Sequence, residues 1–183
     1  MLLTGNCILN NSSKQKEIFP YIHNFNNKKQ VEDIFISSLV PDVNLEQQMQ
    51  NSKGNFSLAS GEFIEVYSNS LSTFHSVVTC FFIDTSHFIL DYIDTIYDIL
   101  KPGGFWLNLG PLTFHYSGSN SEASVELSWN EILEFIKQAG FIVQATDFLD
   151  TTYCQEPNSM RLSAFHSGFF SVRKPEDVQP ESI

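Results

Sequence analysis

Apolar residues concentrate after Phe56, in runs that predict a strand, a helix and a second strand. The run VVTCFFI, Val77 to Ile83, has the length and the β-branched content of a fully buried strand. Apolar residues then recur at steps of three and four between Ile89 and Leu100, which predicts a helix that covers one face of a sheet. The segment Lys101 to Gly104 is expected to end that helix, and Phe105 to Leu109 predicts the next strand.

A further helix is predicted by the spacing of its capping residues. Ser128 and Glu131 stand at the spacing of a capping box, apolar residues follow at helical steps, and Gly140 lies where the helix would end. Two more strands are predicted, from Phe141 to Phe148 and from Gly168 to Lys174. Strands that alternate with helices predict a doubly wound α/β fold with a mostly parallel sheet.

Two segments of the chain, residues 10–54 and 176–183, lack such periodicity. From Asn10 to Gly54 the sequence is rich in Asn, Gln, Ser and Lys, and its scattered apolar residues predict a largely irregular segment. Residues 176–183 are expected to form a disordered tail. With 183 residues in all, we expect one domain over residues 1–175, in which residues 10–54 are an irregular insertion.

Composition limits the kinds of partner that the protein is expected to bind and the compartment in which it is expected. The 21 acidic residues outnumber the 10 basic ones, and a formal net charge of −11 leaves few cations to bind a nucleic acid or an anionic membrane. The 17 phenylalanines favour a packed interior or an aromatic-lined cavity. Three widely spaced cysteines and dispersed histidines build neither a disulfide framework nor a metal site, and no apolar run is long enough to span a membrane. We therefore expect no metal, and a location in the cytoplasm with the nucleus as a second compartment.

Two polar residues follow predicted strands, at the sheet edge where α/β folds bind ligands. Asp84 ends the run that begins at Val77, and His115 follows the strand FWLNL. Because neighbouring strands lie about 5 Å apart, both side chains can converge on one ligand. Two other interpretations stay open, since Asp84 can cap the following helix and His115 can be a surface histidine. The sequence has no G-x-G-x-x-G turn, phosphate loop or G-x-S-x-G elbow, so the residues alone leave a nucleotide-like or small-molecule site.

Several segments of the chain are similar to the carnosine N-methyltransferase family. The longest is CFFIDTSHFILDYIDTIYDILKPGGFWLNLGPLTFHY, Cys80 to Tyr116, and it contains the specific blocks CFFIDT and LKPGG-WLNLGPL. The segments PDV, NFSLASGEFIEVY, VELSWNEI and SVRKP come in the family's order, so the similar region runs from Leu2 to Pro175. The resemblance implies a class I methyltransferase fold and S-adenosylmethionine as the cofactor. It also implies methylation of the imidazole of carnosine, a histidyl dipeptide (β-alanyl-histidine), to give anserine.

The resemblance assigns three residues to the cofactor. The family's acidic-aromatic pair falls on Glu62 and Phe63, with Glu62 where the family usually has Asp. The family's cofactor-lining cysteine falls on Cys80. Without the resemblance, an interpretation of equal weight is that Cys80 is a small, buried apolar residue.

The resemblance also assigns the substrate site. Asp84 and His115 fall on the family's substrate-binding aspartate and histidine, and both are candidate catalytic residues. Asp84 would accept the N–H of the substrate imidazole, and His115 would hold the substrate by a second hydrogen bond or relay the released proton. Ser163 and Phe165 stand where the family has substrate-contacting tyrosines, so Phe165 is expected to keep a ring contact and to lack the phenolic hydrogen bond.

The family's glycine-rich turn and ribose-binding acidic residue lie upstream of the position that matches Met1. The chain thus resembles the C-terminal portion of a single methyltransferase domain. Without its first strands, the sheet is expected to expose an apolar edge that favours aggregation or pairing with a partner, such as a second copy in a homodimer. A second hypothesis, of another class, is therefore a noncatalytic fragment that acts, if at all, through a protein partner.

Overall fold

The computed structural model describes residues 2–10, 15–41, 43–54, 56–119, 123–153 and 155–177. The chain divides into two units. The first contains Met1–Ser60 and Cys154–Ser163, and the second contains Gly61–Tyr153 and Ala164–Ile183. The expected disordered tail falls mostly on residues 178–183, which lie outside the described residues.

The first unit contains short elements. They are helix α1 (Leu2–Asn10), strand β1 (Lys16–Ile18), a 3-10 helix (Val31–Phe35), strand β2 (Ser38–Val40) and helix α2 (Leu45–Asn51). Strands β1 and β2 pair antiparallel. The segment from Asn10 to Gly54, predicted to be largely irregular, thus carries pieces of secondary structure of three to seven residues.

Polar contacts join residues 155–163 to the earlier part of the first unit. Lys28 and Glu156 form a buried ion pair of 2.5 Å. The side-chain amide of Asn158 donates to Asp33 over 2.9 Å, and this hydrogen bond lowers the pKa of the buried Asp33 carboxyl. Removal of Lys28, Glu156 or Asn158 would leave a buried charge with fewer partners, so these contacts fix the path of the segment.

The second unit is built around a four-stranded sheet. Its elements are helix α3 (Phe63–Tyr67), strand β3 (Phe74–Cys80), helix α4 (Ile89–Ile99), strand β4 (Leu100–Gly110), helix α5 (Trp129–Gln138), strand β5 (Ile142–Thr152) and strand β6 (Ala164–Arg173). The strand order is β3-β4-β6-β5. Strands β3 and β4 are parallel, whereas β6 is antiparallel to both of its neighbours. The prediction of a mostly parallel sheet is therefore corrected to a mixed one, because β5 and β6 are joined by a loop without a crossover helix.

Helices α4 and α5 pack on the same face of this sheet. The buried core they share with it contains Ile89, Ile93, Ile96, Trp106, Ile132, Ile136, Phe170 and Val172. Side chains alternate between the faces of a strand, and on the opposite face Val78, Phe105 and Ile142 are exposed. In this unit the helical cover expected of a doubly wound fold thus lies on one face. Strands β3 and β5 are the two edges of this sheet.

The ends of the two long helices, α4 and α5, can be compared with the ends that the sequence predicts. In α5 the backbone N–H of Ser128 donates to the Glu131 carboxylate, as the capping-box spacing predicts. The Ser128 hydroxyl donates to the same carboxylate, and both bonds lower the pKa of Glu131. Gly140 follows the helix with φ +101°. Helix α4 ends at Ile99, but Lys101 to Gly104 already belong to β4 rather than to a separate turn. The backbone of this segment pairs with the end of β6, where the N–H of Lys174 donates to the carbonyl of Gly104.

Candidate functional site

Asp84 lies in a 3-10 turn, Ile83–Thr85, directly beyond the end of β3. The residue is buried, with 2% of its surface exposed. The backbone N–H and the hydroxyl of Thr113 donate to its carboxylate Oδ2 over 2.9 and 2.6 Å. The N-cap of α4 is Phe88, so the helix-capping interpretation of Asp84 is wrong. The carboxylate instead ties the turn after β3 to the loop after β4.

His115 lies in that loop after β4. Its backbone N–H donates to the carbonyl oxygen of Asp84 over 3.0 Å, and its side chain is exposed. The contact follows from the topology, because β3 and β4 are adjacent parallel strands whose carboxyl ends share one edge. The structure therefore brings together the two residues that the sequence singled out at this edge.

Two phenylalanines beside this pair have left-handed backbone conformations. Phe81, which follows β3, has φ +50°, and Phe114, which precedes His115, has φ +41°. Such a conformation costs a non-glycine residue about 1–3 kcal/mol and clusters at functional sites. At Phe81 the N–H donates to the Leu109 carbonyl over 2.8 Å, and a Cβ added to Gly110 would come within 3.0 Å of the Phe81 backbone. Close contact between the two strand ends thus holds the Phe81 conformation.

An open cavity of about 530 Å³ lies along the edge strand β3. It is lined by Ser76 to Cys80 and by aromatic rings that include Phe63 and Phe82. Two of the three residues that the resemblance assigns to the cofactor, Phe63 and Cys80, are thus part of one cavity. Cys80 is exposed, so its interpretation as a buried apolar residue is wrong. The reason is that Cys80 lies two residues after the exposed Val78, on the face of the sheet that α4 and α5 do not cover.

Phe63 is the centre of an aromatic cluster that forms one wall of the cavity. Its ring centroid lies 5.2 Å from that of Tyr67, 5.3 Å from Phe82 and 5.1 Å from Tyr92. The rings of Phe82 and Tyr92 are stacked at 5.0 Å. Burial raises the pKa of Tyr92, and the charge of the nearby Glu62 carboxylate acts in the same direction. The cluster is therefore an apolar surface that suits a flat aromatic ligand.

Glu62 caps the helix that carries Phe63. Its carboxylate accepts a hydrogen bond from the backbone N–H of Glu65 over 2.9 Å, at the N-terminus of α3. The side chain is exposed and does not line the cavity. The structure gives Glu62 a capping role, and its contact with a cofactor stays a prediction.

Phe165 belongs to a second aromatic group, which contains Phe81, three residues before Asp84. It lies on β6, and its ring packs edge-on against Phe81 with the centroids 5.6 Å apart. Tyr153 is the third member of this group, and its ring centroid lies 5.0 Å from that of Phe81. Ser163 belongs to the first unit, where its backbone N–H donates to the side chain of Gln155 over 3.4 Å.

Three residues at this edge were not predicted from the sequence. Thr113 holds the carboxylate of Asp84, and the rings of His87 and Tyr116 are stacked with centroids 3.5 Å apart. His87 lies three residues after Asp84, and Tyr116 follows His115 directly. Their position in the same two segments as the candidate pair is the signal that could have found them. The stack adds a third connection between the two loops, besides the Thr113–Asp84 and His115–Asp84 hydrogen bonds.

Two findings concern absences within the described ranges. No group of three or more His, Cys, Asp or Glu side chains there is arranged to hold a metal ion. No helix among the described residues has the length and apolar character needed to cross a membrane. The sequence predictions of no metal, no membrane partner and no nucleic acid stay predictions.

A protein-family model matches nearly the whole of this chain. The family model described as carnosine N-methyltransferase matches residues 1–176. The chain belongs to the carnosine N-methyltransferase family. The resemblance drawn from the sequence blocks is thereby confirmed. With the mixed sheet and its helices, membership also confirms the predicted class I methyltransferase fold, which is Rossmann-like.

Curated carnosine N-methyltransferases are similar to the chain along nearly all of its length. The protein from Rattus norvegicus is 39% identical over 179 residues, which cover 96% of this chain and 44% of the relative. The protein from Schizosaccharomyces pombe is 40% identical over 186 residues, which cover 94% of this chain and 50% of the relative. The chain therefore spans about half the length of the curated relatives it matches.

Solved methyltransferase structures also match part of the chain. An S-adenosylmethionine-dependent methyltransferase from Methanosarcina mazei superposes with a TM-score of 0.47 and 12% identity. The superposition covers 73% of this chain and 77% of that one.

Proposed function

We propose that the whole protein is an S-adenosylmethionine-dependent methyltransferase that methylates the histidine imidazole of carnosine and gives anserine. The observation that carries the proposal is the position of the buried Asp84, two residues beyond Phe82, which lines the aromatic cavity. Family membership over residues 1–176 supports the substrate class. Relatives that bear the carnosine N-methyltransferase name are 36–40% identical to the chain.

The cavity beside β3 fits the aromatic portion of S-adenosylmethionine. The rings of Phe63 and Phe82 offer stacking surfaces, and the exposed thiol of Cys80 lies at the end of β3 that is nearest to Asp84 in the chain. A volume of about 530 Å³ is in the range of small-molecule sites. The cofactor, when bound, supplies an electrophilic methyl group on sulfur. Glu62 precedes Phe63 in the sequence, and a contact of its exposed carboxylate with a polar group of the same ligand is part of this proposal.

Asp84 orients the acceptor in this proposal. An imidazole attacks through the lone pair of one ring nitrogen when its proton resides on the other nitrogen. A carboxylate that accepts this N–H selects the reactive tautomer and stabilises the positive charge that develops on the ring as the N–C bond forms and the C–S bond breaks. The neutral ring needs no deprotonation before attack, so Asp84 acts by orientation, and the proton leaves the ring after transfer.

His115 and Phe165 complete the substrate side. His115 is exposed beside Asp84 and can donate or accept a hydrogen bond with the imidazole or the peptide portion, or take up the released proton. Phe165 offers its ring, through its contact with Phe81, as an apolar surface near the same turn. It lacks the phenolic hydroxyl of the family's tyrosine, which predicts weaker binding of the dipeptide end.

The remaining sequence-based expectations are kept as proposals. A noncatalytic fragment is not favoured, because the similarity to the named relatives extends over 94–96% of the chain. Formation of a homodimer rests on the exposed edge strand β3. A cytoplasmic location, with the nucleus as a second compartment, rests on composition.

Methyl transfer by the whole protein is the test of this proposal. The protein is incubated with S-adenosylmethionine and carnosine, and S-adenosylhomocysteine and methylated dipeptide are quantified together. We expect equal amounts of both products, formed only when carnosine is present. The matched control substrate is β-alanyl-alanine, which lacks the imidazole and should give neither product. The absence of carnosine-dependent turnover would contradict the proposal.

A further inference from the structure

We propose that Thr113 is a positioning residue that acts on the substrate through the carboxylate of Asp84. The inference rests on the proposed function, because it assumes that Asp84 accepts the N–H of the substrate imidazole. Thr113 itself needs no contact with the substrate. Its role is to set the direction in which one carboxylate oxygen is presented.

The geometry that supports this role is the convergence of two donors on a single oxygen. The backbone N–H of Thr113 and its hydroxyl both donate to Oδ2 of Asp84, over 2.9 and 2.6 Å. With Oδ2 directed into the loop after β4, Oδ1 is the oxygen that accepts from the substrate. The Asp84 carbonyl is held by the same loop, since it accepts from the N–H of His115 over 3.0 Å. Backbone and side chain of Asp84 are thus fixed from one segment.

The hydroxyl contributes more to this arrangement than an ordinary surface hydrogen bond. A separation of 2.6 Å is typical of a charge-assisted O–H···O⁻ bond, which is roughly twice as strong as a neutral one. Asp84 is 2% exposed, so loss of the hydroxyl of the exposed Thr113 leaves a buried carboxylate with one donor fewer. Without the hydroxyl, one backbone donor remains on Oδ2, and rotation of the carboxylate about the Cβ–Cγ bond is less restrained. Loss of orientation would act on the transition state more than on substrate binding.

The experiment compares Thr113→Val with Thr113→Ser in the whole protein. Valine has nearly the same shape and lacks the donor, whereas serine keeps it. The matched control is Thr73→Val, because the hydroxyl of Thr73 is exposed and donates to the Leu71 carbonyl away from Asp84. Each variant is measured for kcat and KM with carnosine. Thr113→Val is also measured on an Asp84→Asn background, which makes a double-mutant cycle.

We expect Thr113→Val to lower kcat about tenfold with little change in KM. Thr113→Ser and Thr73→Val should stay within about twofold of the native protein. On the Asp84→Asn background the valine substitution should cost less than twofold, because its effect passes through the carboxylate. An unchanged kcat in Thr113→Val would overturn the proposal. So would an equal loss on both backgrounds, which would indicate that Thr113 supports the loop independently of Asp84.

A second measurement separates this inference from the proposed function. In whole protein labelled with ¹⁵N-threonine, the amide resonance of Thr113 should move markedly in Asp84→Asn, and that of Thr73 should not. If the native protein fails to methylate carnosine but the Thr113 resonance moves, the proposed function fails and the coupling of the two residues stands. If the resonance does not move, the hydrogen bond is absent in solution and the inference is wrong.

Discussion

The backbone N–H of His115 donates to the carbonyl oxygen of Asp84 over 3.0 Å, although 31 positions separate the two residues in the sequence numbering. The bond joins the segments that follow two neighbouring parallel strands. A displacement of either loop therefore moves both candidate substrate-binding residues together. A substitution in either loop is therefore expected to affect the positions of both residues at this edge of the sheet.

Replacement of Asp84 by asparagine should reduce methylation of carnosine in the whole protein at least tenfold. The change keeps the shape of the side chain and removes the charge that stabilises the developing imidazolium, and tenfold corresponds to about 1.4 kcal/mol. Affinity for S-adenosylmethionine should stay within about twofold by calorimetry. Asp94→Asn, the same change on the exposed surface of α4, is the control. Unchanged turnover in Asp84→Asn would remove Asp84 from the reaction.

The exposed thiol of Cys80 should be protected by the cofactor. Because Cys80 lines the cavity beside β3, bound S-adenosylmethionine should slow its alkylation by N-ethylmaleimide about fivefold or more in the whole protein, as measured by mass spectrometry. Cys7, in the first unit, is the internal reference and should react at the same rate with and without cofactor. Equal rates at Cys80 in both conditions would show that the cofactor binds elsewhere.

Substitution of Phe165 by tyrosine should improve the use of carnosine. The new hydroxyl would restore one hydrogen bond at the dipeptide end, worth about 0.5–1.5 kcal/mol, so kcat/KM should rise roughly two- to tenfold, mainly through KM. Three histidyl dipeptides that differ at the amino end are compared in one assay. Phe148→Tyr, on an exposed position of β5, is the control. If none of the three dipeptides responds to Phe165→Tyr, the residue does not line the substrate site.

The capping box of α5 should make stability depend on pH. Hydrogen bonds from Ser128 lower the pKa of Glu131 below its ordinary value of 4.5, so the stabilisation is present above that pH and is lost as the pH falls through the lowered pKa. Glu131→Gln should therefore lower the unfolding temperature at pH 7 by a small amount and leave it unchanged near pH 3. Glu126→Gln, an exposed change just before the helix, should have no such effect. A pH-independent loss in Glu131→Gln would rule out the carboxylate as the cause.

Helix α5 could be predicted from the sequence down to its capping residues, because its determinants are local. Ser128, Glu131 and Gly140 lie within the helix or next to it, and each acts on neighbouring backbone. The end of β3 could not be predicted in the same way. Phe81 continues an apolar run, and its turn depends on contact with Gly110, which the sequence does not place beside it.

The candidate site was partly accessible to the same reasoning. The proximity of the Asp84 and His115 backbones followed from the rule that parallel strands end at one edge, whereas convergence of their side chains on one ligand stays a prediction. The hydrogen bonds from Thr113 did not, because an isolated threonine in a loop carries no pattern that indicates its partner. The antiparallel β6 was missed for a related reason, since a buried strand has the same apolar run in either direction.

The position of the transferred methyl group is the most direct test of the proposed function. The whole protein is incubated with S-adenosylmethionine and carnosine, and the product is analysed by two-dimensional NMR, which correlates the new methyl protons with neighbouring carbons. We predict a methyl group on an imidazole ring nitrogen, as in anserine, and at least tenfold less of this product in Asp84→Asn. A methyl group on the amino nitrogen of the β-alanyl portion, or no methylated product from the native protein, would contradict the proposed function.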